Sequence, residues 1–232
     1  MVDSSIWLQL LKASGYTLAL TAISMPLAVA AGLVLALMRM SRHRLLAWSA
    51  VIYIEAVRGT PLIVQVFLVY FSLPQLGIWL DTSFLTLPNF VVGVLCLSGN
   101  YAAYEAEIHR AGLQAIEKGQ REAALSLGMS ERQAFFRVVL PQAFRMVVPP
   151  IINDLIAMLK DSSIVSVIGV AELLCVAQGL GRSSGTTAQT LIMAAFFYLV
   201  LSLACYAFGK YIESRLQAKG AQELKLDHVH GH

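Results

Sequence analysis

Residues 15–38 read GYTLALTAISMPLAVAAGLVLALM, a run without a charged side chain that is followed at once by Arg39, Arg42 and Arg44. A hydrocarbon core about 30 Å thick takes roughly 20 mostly apolar helical residues, because each residue rises 1.5 Å. This stretch is therefore long enough to cross a bilayer. The whole chain agrees with that reading: 57% of its 232 residues are hydrophobic and 13% are charged, where soluble domains average roughly 45–50% and about 25%. Mean hydropathy is +0.68. With 17 Lys and Arg and 14 Asp and Glu, the chain is too poor in charge to cover a water-facing exterior. The same composition excludes disorder, a collagen-like fibre and a disulfide scaffold. Cys96, Cys175 and Cys205 are odd in number, far apart and set among apolar residues. They read as small hydrophobes rather than a metal or redox cluster.

Working outward, five helical spans are the simplest count for an all-α integral membrane protein. After 15–38 come about 45–80, interrupted at Arg58-Gly59-Thr60-Pro61 and at Pro74; 87–104; 146–176, which holds Asp154, Lys160 and Asp161; and 189–208. Residues 1–14 then form an external segment, 15–217 the membrane domain and 218–232 a flexible cytoplasmic tail. Lys and Arg collect on cytoplasmic loops. Thirteen of the 17 basic residues fall after the first span, between the third and fourth, or after the fifth. That places the N-terminus outside and the C-terminus in the cytoplasm. The first apolar stretch is of full span length and lacks a basic leader, so no cleavable signal peptide is expected.

No G-x-x-x-x-G-K-[ST] phosphate loop is present, so energy from ATP would have to come from a partner. Gly181-Arg182-Ser183-Ser184-Gly185 matches G-x-S-x-G, but a serine hydrolase needs a base within reach of the serine. His43 and His109 fall on the cytoplasmic side, whereas Ser183 falls in an outer loop, which reads as a flexible Gly/Ser connection. The terminal Asp227-His228-Val229-His230-Gly231-His232 could ligate a metal or simply be a solvated tail, and the second reading is preferred. Neither a catalytic residue nor a resident metal or cofactor is expected on this chain.

The loop between the third and fourth spans carries the most information. It contains Glu122-Ala123-Ala124-Leu125-Ser126-Leu127-Gly128, nine further residues, then Val138-Val139-Leu140-Pro141. Residues 111–127 are good helix formers, and Gly128 suits the left-handed position past a helix end. Ser130-Glu131-Arg132-Gln133 has capping-box spacing, and Pro141 suits the first turn of a following helix. Ala123, Ala124 and Gly128 would let another surface approach the backbone.

The pattern Glu-Ala-Ala-x3-Gly-x9-[Ile/Val]-x-Leu-Pro resembles the EAA loop of permease subunits of binding-protein-dependent ABC importers. Val57-Arg58-Gly59-Thr60-Pro61-Leu62 with Gln65, Glu107-Ile108-His109-Arg110-Ala111-Gly112, Gly119-Gln120 and Leu159-Lys160-Asp161-Ser162-Ser163 are similar to segments of its polar amino acid branch, the histidine/glutamine/arginine permease type. The resemblance implies a MetI-like type I importer fold in the bacterial inner membrane. It makes residues 112–141 a coupling loop that docks on an ABC ATPase through Glu122, Ala123, Ala124, Gly128, Leu140 and Pro141. It further implies a pair of ATPase subunits carrying ATP-Mg, a second permease copy or homologue, and an extracytoplasmic substrate-binding protein.

Charged groups within a span cost roughly 2.5–3.5 kcal/mol each and usually face a cavity or partner. Arg58-Gly59-Thr60-Pro61 reads as a broken helix restarting with Thr60 as N-cap and Pro61 at the first position. Such a start suits a substrate carboxylate; a proline kink between neighbouring helices is the other reading. Asp154, Met158 and Asp161 share a helical face, flanked by Asn153 and Ser162. This face suits an ammonium or cationic side chain, unless Asp161 pairs with Lys160 or Arg58. Asp154, Asp161 and Glu105 against Arg58 and Lys160 favour a zwitterionic or cationic amino acid. The expected substrate site is Thr60, Gln65, Asn153, Asp154, Met158, Asp161 and Ser162, with Tyr101 and Tyr104 as walls. The expected function is a permease that moves a polar amino acid by alternating access; the alternative is a stand-alone secondary transporter or channel, from which the EAA-type loop separates it.

Overall fold

The computed structural model of the chain describes residues 4–82, 85–116 and 118–229. Regular structure among these residues is entirely helical: α1 (Ser4–Arg39), α2 (Arg44–Arg58), α3 (Leu62–Trp79), α4 (Asn89–Ala115), α5 (Lys118–Ser126), α6 (Glu131–Ala134), α7 (Leu140–Asp161), α8 (Leu173–Ser184) and α9 (Thr187–Val229). A π turn, Phe135–Val139, joins α6 to α7, and a 3-10 turn, Ser162–Ile168, follows α7. Among the described residues α1, α3 and α9 are long and apolar enough to cross a membrane, and the segment ending at Ile168 with α8, bent by 51°, makes a fourth such element.

Several boundaries differ from those expected. The first helix begins at Ser4 rather than Gly15, because Ile6, Leu10 and Ala13 continue its apolar stripe and bury it against Leu173 and Ala177 of α8 and Met193 and Ala194 of α9. Residues 4–14 are thus helical and packed. The second apolar stretch breaks at Gly59 as read, but Pro74 stays inside α3; helices among other helices tolerate such prolines, since neighbouring groups re-satisfy the freed carbonyl. Gly169, at φ 76°, ends the 3-10 turn that follows α7. The stretch 181–185 is no flexible loop: Ser183 and Ser184 lie in the last turn of α8 and donate to the Leu180 carbonyl at 3.0 and 2.7 Å. The last helix, α9, extends through residue 218 to Val229, and the terminal residues 230–232 of the histidine-containing segment lie outside the described residues.

The hub of the bundle is α4, packed against α1, α2, α3 and α7. Leu20, Met25 and Ala28 of α1, Val66 of α3, Leu97 and Tyr101 of α4, Met158 of α7 and Val165 form one buried cluster. Where α1 crosses α4, Gly32 replaces a side chain by space: a Cβ there would stand 2.5 Å from Glu105 Cβ and 3.0 Å from the Ala102 carbonyl oxygen. Small residues at such crossings let helices in an apolar medium gain van der Waals contact. Surrounded by protein in this way, α4 can carry polar residues that a lipid-facing helix would not. A second polar feature fixes α8, where the buried Glu172 caps the helix by accepting from the Leu174 and Cys175 amides at 2.9 and 2.7 Å and from the Tyr198 hydroxyl.

Candidate functional site

Between the α2–α3 break, α4 and α7 lies a cavity of about 360 Å³. The break contributes Thr60, Pro61 and Leu62, α4 contributes Asn100, Tyr101 and Tyr104, and α7 contributes Asp154, Ala157 and Asp161. Each helix presents one face: positions 154, 157 and 161 recur at helical spacing, as do 100, 101 and 104. Tyr101 donates to Asp161 Oδ2 at 2.8 Å. The Tyr101 and Tyr104 rings lie 6.0 Å apart, and the Arg58 guanidinium stands 5.5 Å over the Tyr104 ring. Asp154 Oδ2 is buried with no hydrogen-bond partner. Beside it, within electrostatic reach, Glu105 is fully buried and neither of its oxygens has a partner.

Of the residues proposed from sequence, Thr60, Tyr101, Tyr104, Asp154 and Asp161 come together around this cavity. Met158 does not: it is fully buried in the core cluster. At about 100° per residue, Met158 lies about 40° from Asp154 in one direction, while Asp161 and Ala157 lie about 20° and 60° in the other. The face therefore turns toward Ala157. Ser162 is buried in the 3-10 turn, where the helical register changes, and its hydroxyl donates to the Leu159 carbonyl at 2.7 Å. Asn153 points outward and is exposed. Asp161 pairs with neither Lys160, which is exposed, nor Arg58, which is stacked on Tyr104.

Thr60 is not the N-cap of α3. Pro61 holds that position at φ −63°, ψ 136°, and the Thr60 hydroxyl turns back to donate to the Ala56 carbonyl at 2.8 Å. Gln65 lines a neighbouring cavity of about 410 Å³, largely apolar, which shares Thr60 and Asn100 with the first. Asn100 and Ala157 were missed from sequence. Asn100 could have been found one position before Tyr101, in the polar run that includes Ser98, Tyr104 and Glu105.

At the far end of α4 the chain makes an ordered hairpin. The expected helix over 111–127 is in fact two, since α4 ends at Ala115 and α5 starts at Lys118. Gly128 adopts φ 81°, and the Met129 amide donates to the Ala124 carbonyl at 3.2 Å, closing α5 with a left-handed cap. The capping box forms, with the Gln133 amide donating to Ser130 Oγ at 3.3 Å and the Ser130 amide to Gln133 Oε1 at 2.9 Å. Arg121 grips Glu131 across the turn through two bonds of 3.0 and 2.6 Å. Glu122, Ala123, Gly128, Leu140 and Pro141 are exposed, whereas Ala124 turns inward and is 4% exposed.

A cavity lined by polar side chains, set in a bundle that includes helices of membrane-crossing length and composition, is an architecture suited to moving a polar solute across a bilayer. The comparisons with known proteins narrow the class. Residues 28–218 match the family described as binding-protein-dependent transport system inner membrane component, and the chain belongs to that family. It is 38% identical over 217 residues to the L-cystine transport system permease protein TcyB of Bacillus subtilis, covering 93% of this chain and 90% of the relative. It is 39% identical over 210 residues to the arginine transport system permease protein ArtQ of the same organism, covering 90% and 93%. Among solved structures it superposes on a chain of an amino acid ABC transporter crystallised with histidines, at TM-score 0.83 and 38% identity over 93% of this chain and 99% of that one. It shares the fold of the inward-facing methionine ABC transporter MetNI at TM-score 0.72 and 18% identity, over 93% and 99%. The protein is an all-helical permease subunit of an amino acid ABC importer with a MetI-like type I fold, and its family is a non-catalytic membrane component.

Proposed function

We propose that this chain lines the path of a zwitterionic or cationic amino acid across a bacterial inner membrane, and that Asp154 and Asp161 receive the substrate's cationic group. The observation that carries the reading is the cavity in which both carboxylates face an aromatic wall. Asp154 keeps a buried oxygen with no partner, and Tyr101 orients Asp161. An unpaired carboxylate in an apolar setting is costly, so a cation entering the cavity gains more there than an uncharged solute. Thr60 and the Tyr104 ring complete the walls. The names of the relatives, for cystine and arginine, and the transporter crystallised with histidines support an amino acid as cargo.

In this reading the chain crosses the membrane five times with its N-terminus outside and its C-terminus in the cytoplasm. It works beside a second permease copy or homologue and receives cargo from an external binding protein. The α5–α6 hairpin docks on a partner ATPase through Glu122, Ala123, Gly128, Leu140 and Pro141, with ATP-Mg held by that partner. Helical structure is unbroken from Glu131 through the π turn to Asp161. Movement imposed on the hairpin therefore reaches Asp154 and Asp161 along one rod, about 30 Å from Leu140 to Asp161 at 1.5 Å per residue. Alternating access follows from rocking that rod against α4.

Uptake and receptor-stimulated ATPase activity of the reconstituted complex test the site. Asp154→Asn and Asp161→Asn should each lose uptake of cationic amino acids while ATPase subunits still co-purify. Wild-type uptake in both would overturn the assignment.

A further inference from the structure

We propose that Gln65 is a positioning residue that holds closed a partition between two cavities, with its hydrogen bond to Asn100 as the latch. The inference rests on reading the 360 Å³ cavity as the substrate site. A primary amide has two N–H donors and one acceptor oxygen. Gln65 Nε2 stands 2.7 Å from the Val57 carbonyl oxygen, 2.8 Å from Thr60 Oγ1 and 3.1 Å from the Thr60 carbonyl oxygen. Its Oε1 accepts from Asn100 Nδ2 at 3.0 Å. Three acceptors for two hydrogens leave the amide no donor for a passing solute, so Gln65 acts through its neighbours.

Those neighbours are the loose end of α2 and the face of α4. The last carbonyls of a helix lack intrahelical partners, and at Val57 the Gln65 side chain supplies one from the first turn of α3. It thereby ties the broken helix to itself and, through Asn100, to α4. Thr60 and Asn100 line both the 360 Å³ and the 410 Å³ cavity, while Gln65 lines the larger. Thr60 and Asn100 are thus their common wall, and Gln65 braces both residues from the larger side. The Tyr53 hydroxyl of α2 also donates to the Gly99 carbonyl of α4 at 2.9 Å, where both residues line the larger cavity. Releasing the bond between Gln65 and Asn100 therefore loosens the start of α3 from α4 at the shared wall while α2 stays anchored. Polar and apolar space then join, which gives a bulky side chain room to advance while its charge stays at Asp154 and Asp161.

Cys96 lines the larger cavity and is 5% exposed, so its thiol reports whether the wall is closed without any knowledge of the cargo. In the reconstituted complex, one background retains Cys96 alone and another Cys175 alone, the remaining cysteines being replaced by alanine. Labelling by the cationic reagent aminoethyl methanethiosulfonate is timed in both. Gln65→Ala and Asn100→Ser break the latch from opposite sides. Each should accelerate labelling of Cys96, by roughly 2- to 10-fold if the wall is held by one hydrogen bond of ordinary net strength, while Cys175 labels at its original rate. The double variant should add little to either single one, because the bond is already lost. Unchanged Cys96 rates in both variants, or an equal rise at Cys175 that signals general loosening, would overturn the partition. Asp154→Asn should leave Cys96 labelling unaltered, so a failed substrate assignment shows in uptake and a failed latch shows in labelling.

Discussion

Replacing Gly32 by alanine tests the packing on which the cavity rests. A Cβ at this position would lie 2.5 Å from Glu105 Cβ, 3.0 Å from the Ala102 carbonyl oxygen and 3.0 Å from the Ala106 amide nitrogen. Two of those three atoms are backbone, and the third is the first atom of a fully buried side chain, so no rotamer change relieves the clash. Carbon atoms in good contact stand about 3.5–4.0 Å apart, so α1 and α4 must separate by about 1 Å. Overpacking of that kind costs typically 1–3 kcal/mol, against about 1 kcal/mol gained from alanine's higher helix propensity. The net loss is up to about 2 kcal/mol. At roughly 2–4 °C per kcal/mol for a chain of this size, the purified complex should melt as much as about 8 °C lower. Gly15→Ala is the matched control, in the same helix but with nothing within 4 Å of its added Cβ; it should melt at or slightly above wild type. Because the strain falls on Glu105, beside Asp154 in the cavity wall, Gly32→Ala should also slow uptake where Gly15→Ala does not. Equal melting of the two variants would refute the close approach of α1 to α4.

The other elements give sharper single tests. Gly128→Asp places a charged side chain at φ 81° on the exposed turn, a backbone region that costs most residues free energy; it should release the ATPase or uncouple its activity, and an intact, transporting complex would contradict the docking reading. At α8, Glu172→Ala should lower stability by about 1–3 kcal/mol, because it strips partners from buried donors, and Tyr198→Phe should cost less since the cap to Leu174 and Cys175 survives. Thermal unfolding should rank wild type above Tyr198→Phe and that above Glu172→Ala; the reverse order would mean the carboxylate does not hold the helix end.

Features whose physics closes within a few residues were legible in the sequence. The Gly59–Pro61 break, the Gly128 turn and the Ser130–Gln133 capping box each depend on partners no more than five positions away. What lay beyond reach were the pairings that choose one helix face over another. Residues 4–14 read as part of an external segment ahead of the first span, yet they are helical because Leu173, Ala177, Met193 and Ala194, far along the chain, cover Ile6, Leu10 and Ala13. Periodicity placed Asp154, Met158 and Asp161 on one stripe, but the side of that stripe that meets α4 depends on residues far along the chain: Tyr101 bonds Asp161 from 60 positions away, and Leu20, Val66 and Leu97 share the core cluster that buries Met158. Ala157 accordingly faces the cavity and Met158 the core. Gln65 shows the same dependence at finer scale. Its position in the motif with Thr60 and Pro61 marks it as important, but only Asn100, 35 residues on, makes it a latch candidate rather than a ligand. Side-chain chemistry along one helix thus nominates candidates in pairs, and the partner helix decides which member of each pair the solute can meet.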